Sequence, residues 1–251
     1  MDLVTYLRTE YIAAALFTNQ TPRIAKVALQ LGCEDGRAVT FIPRSIETLI
    51  ASSTEQDGVL PVSVARQLKT QQDRRGAATV DLVDQRADDL KEIEDESIDV
   101  VLNMHSGEKL LENGLDWKKS VREAARVLRP GGRLLFVERT ELGGESYLDY
   151  VQSLTSFKDD DDDDSSNEAD EERSTVFEVG SDDVDLVLTP HVAGVAVKLE
   201  TAGMTPSERA SREVAQRKAN EASLSLEAFE RGLKKRKRKK KKADKEEASA
   251  Q

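Results

Sequence analysis

The sequence predicts an α/β domain, in which a mostly parallel sheet is covered by helices on both faces and ends in an antiparallel hairpin. Two observations carry this prediction. Segments with helical periodicity alternate along the chain with short apolar strands, an order typical of a parallel sheet. Near the end of this region, the strand-like segments 184–190 and 194–200 flank a short turn, which is typical of a hairpin.

The first predicted elements lie between residues 21 and 51. Thr21-Pro22 is a helix-start signal. Apolar residues then recur at the spacing of one helix face: Ile24, Val27, Ala28 and Leu31. We therefore expect a helix over residues 22–32 that ends at Gly32, a strand over 38–42 and a helix over 45–51.

The later elements continue the alternation. The expected helices span residues 65–76, 116–128 and 146–157, and the expected strands span residues 79–84, 99–104 and 133–138. Trp117 lies on the apolar face of the second of these helices and is expected to anchor the core. Thr205 and Glu208 have capping-box spacing and predict the start of a long polar helix.

Charge is distributed unevenly along the chain, whose net charge is −11. Residues 234–251 contain ten Lys or Arg and three Asp or Glu, a net charge of +7, so the remainder carries −18. Six consecutive Asp at 159–164 predict a disordered acidic loop over about residues 158–174. We expect residues 1–203 to form the α/β domain and residues 204–251 to form a helical extension with a polybasic tail.

The tail holds nine consecutive basic residues at 234–242. This composition fits nucleic acid phosphates, an import receptor or an anionic membrane surface as partners, and it equally fits pairing with the acidic loop. The tail lacks interleaved aromatic residues, so base stacking is not expected. These features predict an intracellular location, in the cytoplasm or the nucleus. If an upstream segment is missing, an organelle is the alternative location.

Several classes of protein are disfavoured by composition. The single cysteine, Cys33, excludes an internal disulfide, and the two histidines, His105 and His191, leave little for a zinc site. No apolar run approaches the ~20 residues that cross a bilayer. No metal is therefore expected, and no transmembrane segment.

One segment carries a family resemblance. The sequence RVLRPGGRLLFVE at residues 126–138, preceded by DESIDVVLNM at 95–104, resembles the class I S-adenosylmethionine-dependent methyltransferases, and most closely their UbiE-like, type 11 subgroup. Pro130 cannot continue the preceding helix, and the following glycines permit a tight turn into the next strand. The resemblance implies a Rossmann-like sheet, S-adenosyl-L-methionine as cofactor and methyl transfer to an unidentified small molecule.

The family's cofactor loop can be placed in two registers. In the favoured register, VTFIPRSIETL at 39–49 matches the family's second strand, and the loop lies upstream, around residues 15–22. In the other register, LGCEDG at 31–36 is the glycine loop, and the acid that binds the ribose comes from Glu55 or Asp57. The helical periodicity of the preceding residues argues against this second register.

The favoured register departs from the family at three places. Its loop contains no glycine, Pro43 stands where the family has an acid, and Arg86 stands where the family has an Asp, with Asp84 and Asp88 on either side. The residues expected to contact the cofactor are Thr18, Asn19, Asp84, Arg86, Asn103 and Met104. No catalytic residue is named, because methyl transfer depends mainly on alignment of the reacting groups.

Two functions follow from this pattern. The intact 95–138 region favours a methyltransferase, whereas the altered cofactor contacts favour a domain that has lost the cofactor and serves as a binding or scaffold module. His105 ends the fourth strand beside Asn103 and Met104 and is a candidate for contact near the transferred methyl. Glu138 ends the fifth predicted strand, and the sequence does not distinguish a position facing the substrate from a capping or solvated role. For His191, a turn or packing role is favoured over catalysis.

Overall fold

The computed structural model of the chain describes residues 3–34, 36–75, 79–140, 143–155, 174–184, 190–205, 207–215 and 217–218. The chain divides into two units, residues 1–203 and residues 204–251. The first unit contains the helices α1 (Leu3–Gln20), α2 (Ala38–Phe41), α3 (Val62–Arg75), α4 (Ser106–Glu112), α5 (Trp117–Val127) and α6 (Gly144–Ser153). Its strands are β1 (Val27–Gln30), β2 (Thr48–Ser53), β3 (Thr79–Arg86), β4 (Ile98–Met104), β5 (Leu128–Arg139), β6 (Phe177–Val184) and β7 (His191–Lys198).

The seven strands form one sheet in the order β3-β2-β1-β4-β5-β7-β6. The first five strands pair in parallel, and β7 is antiparallel to both β5 and β6. The predicted class, a mostly parallel Rossmann-like sheet with a C-terminal antiparallel hairpin, is confirmed. Chain order reverses direction at β1, which lies between β2 and β4, so the carboxyl ends of these strands border a crevice.

Helices cover both faces of the sheet, as predicted. On one face, Phe17 of α1, Val39 of α2 and Leu68 of α3 pack into a core with alternate strand residues. On the other face, Leu110 of α4, Val121 of α5 and Tyr147 of α6 pack into a second core. The central strand β4 is buried along its whole length, as expected for a strand covered on both sides.

The predictions for residues 22–51 are wrong. Residues 27–30 form the strand β1 inside the expected helix, residues 38–41 form a single helical turn in place of the expected strand, and β2 occupies most of the expected helix at 45–51. A four-residue strand buried on both faces shows no alternation of polar and apolar residues. Its apolar side chains therefore matched the helical spacing by coincidence.

The other predicted helices of the first unit are present with shifted ends, as are the predicted strands at 79–84, 99–104, 133–138 and 194–200, and Trp117 packs against the second core as expected. The first strand of the hairpin was predicted too late in the chain: β6 spans Phe177–Val184, and residues 185–189 of the expected strand at 184–190 lie outside the described residues. After α6 the backbone N–H of Val176 donates to the carbonyl of Leu154 at 2.7 Å, so the chain returns to the point it left. Residues 158–173 of the predicted acidic loop lie outside the described residues, as does the polybasic tail.

The second unit begins with the predicted capping box. The backbone N–H of Thr205 donates to the Glu208 carboxylate at 2.9 Å, and the backbone N–H of Glu208 donates to the Thr205 hydroxyl at 3.3 Å. Residues 207–215 are helical where described. Across both units, the described helices include none with the length and apolar character needed to span a bilayer.

Candidate functional site

A glycine-containing loop, residues 31–36, follows β1 at the centre of the sheet. Its backbone is tied to both neighbouring strands. Leu31 N–H donates to the Leu102 carbonyl at 2.9 Å, and Cys33 N–H donates to the Ser52 carbonyl at 2.8 Å. Gly32 has a φ of 69°, a conformation that side chains other than glycine's rarely adopt. The loop is therefore held rigidly at the crevice.

Gly32 also lies too close to its neighbours to carry a side chain. A Cβ at this position would lie 2.8 Å from the Thr54 Cγ2 atom and 2.9 Å from the Ser106 Cβ atom. The loop thus approaches both the segment after β2 and the first residue of α4. The sequence LGCEDG is a strand-to-loop turn, and its interpretation as a helix end is wrong.

The favoured register is corrected by this geometry. Thr18 and Asn19 lie near the end of α1, where the Thr18 hydroxyl donates to the Phe41 carbonyl at 3.0 Å, and they do not follow a strand. Pro43 precedes β2 and does not end it. Residues 31–36 follow the strand β1, which is the placement that the second register gives to the glycine loop.

The end of β2 supplies the neighbouring wall of the crevice. The Ser52 hydroxyl donates to the Gln30 carbonyl at 3.1 Å and accepts from Gly32 N–H at 3.0 Å, which joins the ends of β1 and β2. Glu55 follows two residues after β2 and is partly exposed. Glu55 is one of the two acids, with Asp57, that the second register names as the ribose ligand.

An open groove of about 860 Å³ extends from Glu55 along the start of α3. It is lined by residues 55–57, 59–62 and 112–114. The far wall is fixed by two hydrogen bonds of 2.8 Å, from the Asn113 amide to the Thr54 carbonyl and from the Gln56 amide to the Asn113 carbonyl. These bonds hold the end of α4 against the segment after β2.

The end of β3 brings together the other charged residues that the sequence singled out. The Arg86 guanidinium pairs with the buried Asp88 carboxylate at 2.9 Å. Asp84 is exposed, and its carbonyl would lie 3.3 Å from a Cβ at Gly58 in the segment after β2. The ends of β2 and β3 are thus adjacent.

A buried polar cluster lies at the ends of β4 and β5. The Asn103 amide donates to the Glu138 carboxylate at 2.9 Å, and its oxygen accepts from Ser106 N–H at 3.0 Å. Gly107 N–H also donates to Glu138 at 2.9 Å. Asn103 and Glu138 therefore cap the start of α4. Met104 is nearly buried beside them.

Burial dominates the protonation of this cluster. It raises the pKa of Glu138 to about 7, against the opposing hydrogen bonds from Gly107 and Asn103. His105 has a φ of 58°, and its ring centroid lies 5.5 Å from that of His191. Burial, with the charges of His191 and Arg139, lowers the pKa of His105 to about 3. Burial thus keeps the His105 imidazole neutral, and it brings the pKa of the Glu138 carboxyl group near neutral pH.

Two features of the site were missed from sequence. α4 was not predicted, although it places Ser106 against Gly32. Lys109 on α4 donates to the Glu112 carboxylate at 3.1 Å. Within the described residues, no group of three or more His, Cys, Asp or Glu is arranged to hold a metal ion.

Comparisons with known proteins show which family this part of the chain resembles. Residues 29–136 match the family described as "Methyltransferase domain". The match includes the glycine loop, α4 and the RVLRPGG turn. A comparison with curated protein sequences found no significant match.

Solved structures share the fold at low sequence identity. The [4+2]-cyclase SpnF has a TM-score of 0.52 and 15% identity over 77% of this chain and 80% of its own. The N-methyltransferase NodS from Bradyrhizobium japonicum WM9 has a TM-score of 0.50 and 11% identity over 78% and 97%. A TehB-like S-adenosylmethionine-dependent methyltransferase from Corynebacterium glutamicum has a TM-score of 0.50 and 14% identity over 74% and 87%.

The family match and the fold agree with the resemblance predicted from residues 95–138, which is confirmed. The family match indicates a transferase. Residues 29–136 thus match the methyltransferase-domain family, and the rest of the first unit completes the sheet to which they belong.

Proposed function

We propose that this domain binds S-adenosylmethionine in the crevice at the ends of β1, β2 and β3, and transfers its methyl group to a small-molecule acceptor. The observation that carries the proposal is the glycine loop at residues 31–36. It lies at the point where strand order reverses, which is where open α/β sheets bind their ligands.

The residues around this crevice fit the cofactor. Gly32 and Gly36 have φ values of 69° and 68°, so the loop backbone can approach the amino-acid part of the cofactor closely. Glu55 offers a carboxylate to ribose hydroxyls. At the end of β3, Asp84 and the Arg86–Asp88 pair are placed to border the base.

Residues at the end of β4 hold the helix α4 in place beside the site. Asn103 fixes the start of α4 through Ser106, and α4 in turn contacts Gly32. We assign Asn103 a positioning role and place Met104 near the reacting end of the cofactor. The cofactor supplies the activated methyl group, and this chain's residues supply binding and alignment.

The open groove beside Glu55 suits a small acceptor or part of the cofactor. Its volume of about 860 Å³ falls within the usual range for small-molecule sites, roughly 300–1,000 Å³. Val59, Leu60 and Val62 give one wall apolar character, and Asn113 adds amide groups on the other.

Titration calorimetry of the full chain with S-adenosylmethionine tests the proposal. We expect a micromolar dissociation constant, and about tenfold weaker binding by the variant Glu55→Gln, which loses a charge-assisted hydrogen bond. Glu94→Gln serves as the control, because Glu94 is exposed in the connection that leads back to the start of β4. No heat of binding at millimolar ligand would overturn the proposal.

A second candidate function is a binding or scaffold module without methyl transfer. Two observations favour it: Glu34 occupies the middle of the glycine loop, and Arg86 already pairs with Asp88. The fold itself also serves a protein described as a [4+2]-cyclase. A chain that binds neither the cofactor nor its demethylated product would favour this candidate.

A further inference from the structure

The Glu138 carboxylate at the end of β5 accepts two hydrogen bonds through one oxygen. The Asn103 amide and the backbone N–H of Gly107 both donate to its Oε1 atom, each at 2.9 Å. Glu138 is 3% exposed and Asn103 is 0% exposed, so solvent has little access to these bonds. The carboxylate thus joins the end of β4 to the first turn of α4.

Asn103 extends this connection to Ser106. Its side-chain oxygen accepts from the backbone N–H of Ser106 at 3.0 Å and also from the Ser106 hydroxyl. Its NH₂ group is directed at Glu138, so both ends of the amide are occupied. A change in the bond between Asn103 and Glu138 therefore acts directly on the start of α4.

Ser106 is in turn the residue of α4 that lies against the glycine loop. A Cβ at Gly32 would lie 2.9 Å from the Ser106 Cβ atom, so the space between them has no room for another methyl group. Because packed interiors transmit small displacements, a shift of Ser106 also displaces the loop. Contacts thus run without interruption from Glu138 through Asn103 and Ser106 to Gly32.

The strength of the first contacts depends on the charge of Glu138. Hydrogen bonds to an ionised carboxylate are about twice as strong as those between neutral groups. Both donors are therefore held more firmly when Glu138 is ionised. Burial opposes ionisation and raises the pKa of Glu138 to about 7, so both protonation states are populated near neutral pH.

The other titratable side chains of this region come from α4, α6 and the ends of neighbouring strands: Glu108, Tyr147, Arg139, His105 and His191. Burial keeps Tyr147 and His105 uncharged near neutral pH, because it raises the pKa of the first and lowers that of the second. Glu108 pairs with Arg139 at 3.0 Å, and its charge raises the pKa of Glu138. Removal of the Glu108 charge should therefore favour ionisation of Glu138.

We propose that Glu138 is a positioning residue for the cofactor crevice, and that its ionised carboxylate holds Ser106 and the glycine loop in the arrangement that binds the cofactor. The inference rests on the proposed function, since it concerns regulation of that same crevice. The action of Glu138 on the cofactor passes through Asn103 and Ser106. Affinity for S-adenosylmethionine therefore rises as pH rises and Glu138 loses its proton.

Calorimetric titration of the full chain with S-adenosylmethionine, from about pH 5.5 to about pH 8.5, tests this inference. We expect the affinity of the unmodified chain to rise about fivefold, the difference between a neutral and a charge-assisted hydrogen bond, with its midpoint near the pKa of Glu138. Glu138→Gln should bind at every pH as the unmodified chain binds in acid, because glutamine is neutral and has almost the same shape.

The ratio of the two dissociation constants at each pH is the decisive quantity. The amino group of the ligand titrates at about pH 8, and this effect cancels in the ratio because both chains bind the same ligand. A merely structural role of Glu138 would change affinity by the same factor at every pH. A positioning role that depends on charge makes the ratio itself change with pH.

Glu108→Gln tests the titration while Glu138 stays in place. Loss of the Glu108 charge should move the midpoint of the affinity profile to lower pH and leave its amplitude intact. Glu145→Gln, at an exposed position of α6, should change neither. These two variants keep the inference testable if Glu138→Gln does not fold.

The outcomes separate this inference from the proposed function. A ratio of dissociation constants that is constant with pH, or a midpoint that Glu108→Gln does not move, would overturn the positioning role while the proposed function stands. A lack of binding at every pH would overturn the positioning role and the proposed function together.

Discussion

The Asn103 amide donates to the Glu138 carboxylate at 2.9 Å, and both side chains are almost completely buried at the ends of neighbouring strands. The same carboxylate accepts from Gly107 N–H. One ionisable group thus connects β4, β5 and the start of α4. Its protonation has measurable consequences for stability.

Glu138→Gln should become relatively more stable as pH rises. Burial raises the folded-state pKa of Glu138 from 4.5 to about 7, so its contribution to stability is complete below pH 4.5 and is lost as pH rises through 7. The glutamine variant lacks this loss. Denaturant unfolding at pH 5 and pH 8 should show a change in the stability difference of up to about 3 kcal/mol. A difference independent of pH would contradict this prediction, and Glu145→Gln at an exposed position of α6 is the control.

His105→Asn should remove a loss of stability in acid. The folded-state pKa of His105 is lowered from 6.5 to about 3, so the unfolded chain binds the proton first and stability falls as pH drops below 6.5. The loss reaches about 2 kcal/mol at pH 5. Asparagine tolerates the positive φ of this position.

The two groups oppose each other between pH 5 and pH 6.5. Glu138 favours the folded state as pH falls, and His105 disfavours it. Unfolding curves of the unmodified chain should therefore depend less on pH in this window than those of either variant. A steeper dependence in the unmodified chain would show that the pair does not compensate.

Gly32→Ala should destabilise the domain more than Gly131→Ala. Both glycines have a positive φ, 69° and 77°, so alanine strains the backbone by about 1–2 kcal/mol at either position. Only at Gly32 would the new methyl meet Thr54 and Ser106 at less than 3 Å, since nothing lies within 4 Å at Gly131. Overpacking adds about 1–3 kcal/mol. Urea unfolding of the two variants measures the difference, and equal losses would contradict the crowding seen at Gly32.

Arg126→Lys should weaken the RVLRPGG region. The Arg126 guanidinium donates to the carbonyls of Ile93 and Leu90 at 3.0 and 2.8 Å, while it also pairs with Glu123. A lysine ammonium cannot reproduce this planar set of donors. We expect a loss of about 1–3 kcal/mol in unfolding free energy.

Arg133→Lys is the matched control. Arg133 donates to the backbone carbonyl of Gln20 at 2.7 Å and to the side-chain oxygen of the same residue at 3.5 Å, and both contacts are exposed. The same substitution should cost less than about 1 kcal/mol here. Similar losses at the two positions would mean that the Arg126 network contributes little.

The sequence predicted the second half of the sheet because its signals are local. Residues 95–138 contain a buried strand, an amphipathic helix and a PGG turn in order, and each signal is sufficient without distant contacts. Pro130 ends the helix by its own geometry. The family resemblance then supplied the topology that periodicity alone leaves open.

The first half could not be predicted because its elements are too short. β1 has four residues and α2 has four residues, less than the window in which periodicity is informative. Their conformations depend on contacts with β2, β4 and α1. Tertiary packing thus decided the position of the glycine loop, and Thr18 and Asn19 were placed in a loop that does not exist there.

Lys109 shows a different limit of prediction. Lys109 donates to Glu112 three residues away on the same helix. Glu34 and Glu55, whose charges also raise the pKa of Lys109, are distant from it in sequence. Charges brought together by a fold leave no periodic trace in a sequence. The composition indicates an acidic domain. Only the structure shows which acidic residues line the groove, namely Glu55, Asp57 and Glu112.

The hydrogen bond between Val176 N–H and the Leu154 carbonyl brings together the two ends of the connection formed by the twenty-one intervening residues. Doubling the length of such a connection disfavours folding by only about 0.6 kcal/mol. The length of this connection should therefore have little effect on the free energy of unfolding of the sheet. The six consecutive aspartates lie in this connection, so an unrelated sequence in their place should leave the fold of the sheet unchanged.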